Sequence, residues 1–227
     1  MPFAPRSAPA EPEFFPSATG AAAAGAAFSP DPASTIETVP TLAGVRNEAL
    51  QCQRCPLARG RTTVVFGEGD PHADLMVVGE GPGRDEDLQG RPFVGRSGKL
   101  LDRLLLEEVG VGREAVYIAN VVKCRPPGNR DPLPDEIEAC RPWLEAQVAL
   151  IEPKVVLTLG NFSTRLLLQT SDGIRQTRGR VYPWGSTGAV LVPTYHPAFA
   201  LRGSGEVLAE MRADFVRAKE ALSGVRP

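Results

Sequence analysis

At 227 residues, with 42% hydrophobic and 23% charged residues, the chain is long enough for one α/β domain with a sizeable core and has the makeup of a globular protein. Its formal net charge of −2 excludes the strongly basic balance typical of many nucleic-acid binders, so any such binding must come from local clusters. No apolar stretch approaches the roughly 20 residues that cross a bilayer, which excludes a helical membrane span and makes a cytoplasmic location the expectation.

Residues 1–40 hold 8 of the 22 prolines and a run of alanines at 21–24, with no periodic apolar pattern, and read as a disordered tail. A secretory signal fits poorly, because the segment sets Arg6 against Glu11, Glu13, Asp31 and Glu37. Without the tail, residues 41–227 carry 24 basic and 23 acidic side chains and form the expected folded domain. Their cations gather in groups: Arg91, Arg96 and Lys99; Lys123, Arg125 and Arg130; Arg175, Arg178 and Arg180; then Arg202. A solvated surface would account for such groups as well as a nucleic-acid footprint does.

From position 41 onward apolar runs alternate with amphipathic segments. Residues 74–79 read as a buried strand. Ser97 offers a helix N-cap, Leu100, Leu101, Leu104, Leu105 and Val109 recur at helical spacing, and Gly110 is a C-terminal stop. A second strand at 115–119 leads through a Pro-rich loop to a helix over 134–151, which Pro142 is expected to kink. A third strand at 154–159 precedes a short helix opening at Asn161, and a fourth at 189–193 precedes a last helix over 205–222. Alternation of this kind predicts a three-layer α/β/α sandwich around a mainly parallel, four-stranded sheet.

Gly79-Glu80-Gly81-Pro82-Gly83, Asn120, Gly160-Asn161 and Tyr195-His196-Pro197 each fall at or just past the end of a predicted strand. Open α/β sheets bind ligands outside the carboxyl ends of their strands, so these residues are expected to share one cleft. Ordinary turn chemistry also collects glycine and polar residues there.

The four cysteines are Cys52 and Cys55, then Cys124 after 69 positions and Cys140 after 16 more. In a cytosolic protein this pattern points to a metal site before disulfides. A structural zinc usually takes two short knuckles, and the second pair here is wide. An iron–sulfur cluster tolerates wider spacing, which favours it while leaving zinc open.

Three runs closely resemble the signature of family-four uracil-DNA glycosylases. They are Gly79 to Gly83 with Asp85, Glu86 and Asp87 and the stretch 90–101 that holds Phe93; the stretch 117–130 that holds Asn120, Cys124 and Asn129; and His196-Pro197. The resemblance covers about 50–203, in order and with all four cysteines. It implies a four-iron four-sulfur cluster on Cys52, Cys55, Cys124 and Cys140. Two departures are Arg84, where the family usually has an acid, and Ala198, where many members carry serine.

A glycosylase needs its target base out of the stack, an aromatic platform, a reader of the base edge and support for the leaving uracil anion. The resemblance places Phe93 as the platform in an exposed loop, with an ordinary core phenylalanine as the alternative. Asn120 suits base reading, since its amide accepts from the N3 hydrogen of uracil and donates to O4, whereas cytosine reverses both polarities. Glu86 matches a position near C5 of the base. Glu80 would orient water or support charge on the sugar, or only brace its loop. His196 resembles the leaving-group histidine, whose bond to uracil O2 strengthens as charge develops there. Gly81 and Asn129 belong with the substrate-binding residues; Phe199 or Leu201 would wedge into the duplex, and Arg202 would hold phosphate. His72 reads as surface. No lysine is placed for Schiff-base chemistry, so hydrolysis without strand cleavage is expected, acting as a monomer on single- or double-stranded uracil-containing DNA. The rival readings are a nucleotide-binding hydrolase, weakened by the missing P-loop lysine and by Glu80, and a noncatalytic DNA-binding module stapled by metal.

Overall fold

The computed structural model describes residues 40–185 and 188–224; the expectation of a disordered tail lies outside this range. The first described element is helix α1 (Leu42–Leu50), capped by the Thr41 hydroxyl, which accepts from Gly44 N at 3.1 Å. It leads into the Cys52–Cys55 turn. Strands β1 (Glu68–Gly69), β2 (Leu75–Gly79), β3 (Tyr117–Asn120), β4 (Val155–Leu159), β5 (Tyr182–Trp184) and β6 (Ala189–Thr194) form one sheet in the order β1-β3-β2-β4-β6-β5.

The four inner strands are the expected ones, and all their pairings are parallel. The sheet nevertheless has six strands, because β1 and β5 add antiparallel edges to β3 and β6. These edges are two and three residues long, too short to carry a period-2 signal, and exist through pairing with a strand already in place.

Along β2, Leu75 and Val77 join one core and Met76 and Val78 the other, as a pleat buried on both faces demands. The first core packs α1, α4 (Pro134–Ile151) and α5 (Asn161–Leu168) on one face of the sheet. The second packs α3 (Arg96–Leu104) and α8 (Gly205–Leu222) on the other, which completes three layers. Among the described residues, no helix is long and apolar enough to cross a membrane.

One helix detail differs from expectation. Ser97 does not cap α3; Gly95 stands at the N-cap, and the helix continues as a wider π-type turn over Leu105–Val109 before Gly110 ends it at φ 91°. Helix α4 carries Pro142 in its interior. It opens with Pro134 at N1, and Glu136 accepts from Leu133 N at 2.8 Å.

Candidate active site and cysteine cavity

Parallel pairing brings the strand ends together. Gly79 stands opposite Asn120 in the β2·β3 register, and Val121 N and Val122 N extend the ladder to the carbonyls of Gly79 and Glu80. Beyond β2 the chain turns into the short helix α2 (Arg84–Gln89), and beyond β6 into α7 (Pro197–Ala200). Between these loops lies a cleft of about 500 Å³ lined by Glu80, Gly81, Glu86, Phe93, Asn120, Asn129, His196 and Arg202. The residues singled out in the sequence for catalysis and for binding the base and phosphate therefore line one cleft together with Phe199, whereas Leu201 does not line it.

Asn120 is only 2% exposed, and its Oδ1 has no hydrogen-bond partner among the described residues. An unpaired buried carbonyl oxygen costs free energy, so its place in a ligand-sized cleft marks it as an acceptor for something that enters. Gly79 makes the arrangement possible. A Cβ built there would sit 2.4 Å from Asn120 Oδ1 and 2.6 Å from Phe93 Cζ.

Phe93 corrects one expectation. It lies in a loop, but it is 6% exposed and packs with the second core while lining the cleft, its ring centroid 5.8 Å from that of His196. Its backbone is left-handed at φ 51°, a cost for a non-glycine residue that its surroundings must over-determine. Two side chains do so. Arg113 donates to the carbonyls of Pro92 at 2.8 Å and Phe93 at 3.1 Å, and Glu86 Oε1 accepts from Val94 N at 3.0 Å and Gly95 N at 3.2 Å. Glu86 thus lines the cleft while one of its oxygens holds the Phe93 loop. Arg113 has no motif around it, and its role was not legible in the sequence.

Burial pushes the His196 imidazole down to about 4, with the Arg202 charge adding to the effect and Glu86 opposing it. Its Nδ1 accepts from Ala198 N at 3.1 Å, so the neutral ring carries its hydrogen on Nε2. Gly160 leaves the room for it, since a Cβ there would stand 3.0 Å from His196 Cβ. The neighbouring Asn161 turns elsewhere: its Oδ1 accepts from Ile174 N at 3.0 Å, bracing α6 (Ile174–Thr177), and it does not line the cleft.

The Glu80 carboxyl is half-buried; burial first and the Asp131 charge second raise it above the usual carboxylate range. No hydrogen bond holds it among the described residues, which argues against a bracing role. Asn129, left-handed at φ 56°, accepts from Arg125 Nε at 2.7 Å. Phe199, Leu201 and His72 are exposed. Ser97, Pro126 and Arg130, which fall within the motif stretches but were given no part in the site, also line the cleft.

A second cavity lies on the α4 side of the sheet. Cys52, Cys55, Cys124 and Cys140 all line it as free thiols, brought from the turn after α1, the loop after β3 and the middle of α4. Several N–H groups point at sulfur: Lys123 N reaches Cys140 Sγ at 3.2 Å, and Arg61 Nη1 reaches Cys124 Sγ at 3.4 Å. Burial raises the Cys55, Cys124 and Cys140 thiols, the last to about 11. The Trp143 ring walls the cavity under the Arg54 guanidinium, 4.6 Å from the ring centroid, and the indole Nε1 is buried without a partner among the described residues. Among the described residues, no three Cys, His, Asp or Glu side chains converge closely enough to hold a single ion.

An open, mainly parallel α/β sandwich with a ligand-sized cleft at its strand ends and a second, four-cysteine cavity on one face defines the class: a ligand-binding α/β domain. A family model described as the uracil DNA glycosylase superfamily matches residues 66–223. The type-4 uracil-DNA glycosylase of Saccharolobus solfataricus is 45% identical over 185 residues, covering 79% of this chain and 85% of that protein. Those of Sulfurisphaera tokodaii and Thermotoga maritima are 46% and 44% identical, covering 71% and 78% of this chain and 76% and 93% of theirs. The chain belongs to the uracil-DNA glycosylase superfamily, in its type-4 branch.

Proposed function

We propose that residues 41–227 form a monofunctional uracil-DNA glycosylase, which takes uracil from single- or double-stranded DNA and leaves an abasic site for base excision repair. The observation that carries this reading is the buried, unpaired Asn120 Oδ1, set beside Phe93 and His196 in one cleft. That oxygen suits the N3 hydrogen of uracil, and the amide nitrogen suits O4; cytosine would meet like with like at both atoms. The Phe93 ring, lining the same cleft, serves as the platform for the flipped base, and Glu86 disfavours bulk at C5.

In the reaction the bond between C1′ and N1 breaks with its electron pair passing to the uracil ring, water oxygen bonds to C1′, and the water's proton balances the uracil anion. His196, neutral with hydrogen on Nε2, donates to O2 more strongly as charge develops there. The free, up-shifted Glu80 carboxylate supports positive charge on the sugar and orients the water. Gly81 and Asn129 shape the mouth, Arg202 takes a flanking phosphate, and the exposed Phe199 or Leu201 fills the gap left by the flipped nucleotide. The first turn of α2 holds Asp85, Glu86 and Asp87, which disfavours a nucleotide phosphate there and with it the nucleotide-hydrolase rival.

The four cysteines fit an iron–sulfur cluster better than zinc. They ring one cavity yet do not close on a single ion, and both the N–H donors to sulfur and the unpaired Trp143 Nε1 suit sulfur acceptors. Such a cluster would staple the α1 turn, the β3 loop and α4. We further propose a monomer acting in the cytoplasm.

The deciding assay is uracil release from labelled oligonucleotides, single-stranded and as U·G and U·A duplexes, with alkali to reveal abasic sites. Holoprotein inactive on all three would refute the activity, and a borohydride-trapped enzyme–DNA adduct would refute simple hydrolysis.

A further inference from the structure

One buried charge joins the two sites. Lys123 is 1% exposed, and its Nζ donates to the Asn120 carbonyl at 2.7 Å and to Gln147 Oε1 at 2.5 Å. Gln147 is held in turn, donating through Nε2 to the Phe66 carbonyl at 2.8 Å and the Tyr117 hydroxyl at 3.2 Å. Every acceptor in this network is neutral, and no Asp or Glu pairs with the ammonium among the described residues.

A buried cation without an anion is costly, and proteins rarely leave one uncompensated. Among the described residues, Lys123 has beside it the face of the Phe66 ring, 5.9 Å from Nζ, and the cysteine cavity, and of the two only the cavity could hold a full negative charge. Lys123 lines that cavity, its own N–H donates to Cys140 Sγ, and Cys124 follows it in the chain. Four thiolates outweigh the charge of an iron–sulfur core, so the group they would hold is an anion.

We propose that Lys123 is the internal counter-cation of the cysteine-held group and the positioning residue through which that group steadies Asn120. On one side the ammonium offsets the anion; on the other it fixes the carbonyl of the residue whose amide faces the cleft. The proposal rests on the cluster reading above. It gives the cluster a part in base reading through one side chain, with no contact between cluster and substrate.

Removing a positive charge beside an anionic redox group makes its reduction harder. Lys123→Met, similar in length and neutral, is therefore expected to shift the reduction potential of the holoprotein, read by film voltammetry, to more negative values. It is also expected to slow single-turnover uracil release about tenfold, the lower end of outer-shell effects, while leaving affinity for uracil-free duplex unchanged. Gln147→Glu sets a carboxylate against the ammonium with little change of shape and should move the potential the same way. Gln147→Leu keeps the cation and should leave the potential in place.

Iron and sulfide content of the wild-type protein comes first. A wild type without iron overturns the cluster reading and this proposal together; a wild-type cluster whose potential ignores Gln147→Glu overturns the proposal alone. If Lys123→Met sheds its iron while Gln147→Leu retains it, the counter-cation role is supported, and Gln147→Glu still decides the potential.

Discussion

The cleft and the cysteine cavity are two ways of leaving a polar atom unpaired. In the cleft, Asn120 Oδ1 waits on a frame that backbone pairing already fixes, since the β2·β3 register and the Gly79 gap need nothing bound. In the cavity, Trp143 Nε1 has no partner among the described residues, and the four cysteines come from segments that no strand pairing joins, so a bound group would tie them together. A preorganised site should tolerate loss of its ligand; an assembled one should not.

The largest expected effect breaks the cleft without touching the fold. Asn120→Ala and His196→Ala should each lower single-turnover uracil release by about 10² to 10³, the scale of losing one transition-state donor or reader, with thermal unfolding little changed. Activity within tenfold of wild type would remove that residue from the mechanism. Removing iron with a chelator, or replacing Cys52 with alanine, tests the other side. Broad visible absorption should vanish and the melting temperature should fall by several degrees, with activity lost through unfolding rather than chemistry. A melting curve indifferent to iron would remove the staple.

A third comparison uses glycine. Gly79→Ala drives a Cβ against Asn120 Oδ1 and Phe93, so a cost of about 1–3 kcal/mol in urea unfolding is expected, with slower release. Gly60→Ala, near the cysteine turn with φ −108° and open space around it, should stay within about 0.5 kcal/mol.

The smallest effect concerns acid. His196 is held down to about 4 against an unfolded value of about 6.5. Between those values the unfolded chain binds the extra proton, so stability should fall as pH drops through this window, and His196→Gln should remove that part of the slope. The rate should keep its neutral histidine to about pH 4. An acid limb centred near 6.5 would contradict the buried, neutral imidazole.

Much of this was legible from residues alone. The helices over Pro134–Ile151 and Gly205–Leu222, the four inner strands and the gathering of their C-terminal ends followed from periodicity and caps. What escaped has a common cause. Edge strands β1 and β5 borrow their conformation from neighbours, the Phe93 loop looks exposed by its glycines yet is clamped inward by Arg113, and Asn161 turns to cap a helix rather than face the cleft.

By itself, the sequence determined the layered α/β class, the cysteine set and the motifs that carry the family, because those depend on local spacing. Only tertiary structure decided that Glu86 braces a loop as well as lining the cleft, that the His196 Nδ1 accepts and leaves its hydrogen on Nε2, and that Lys123, lining the cysteine cavity, donates to the Asn120 carbonyl. Burial and hydrogen-bond partners set those properties, and they come from segments as distant as Phe66 and Gln147, which local spacing does not relate.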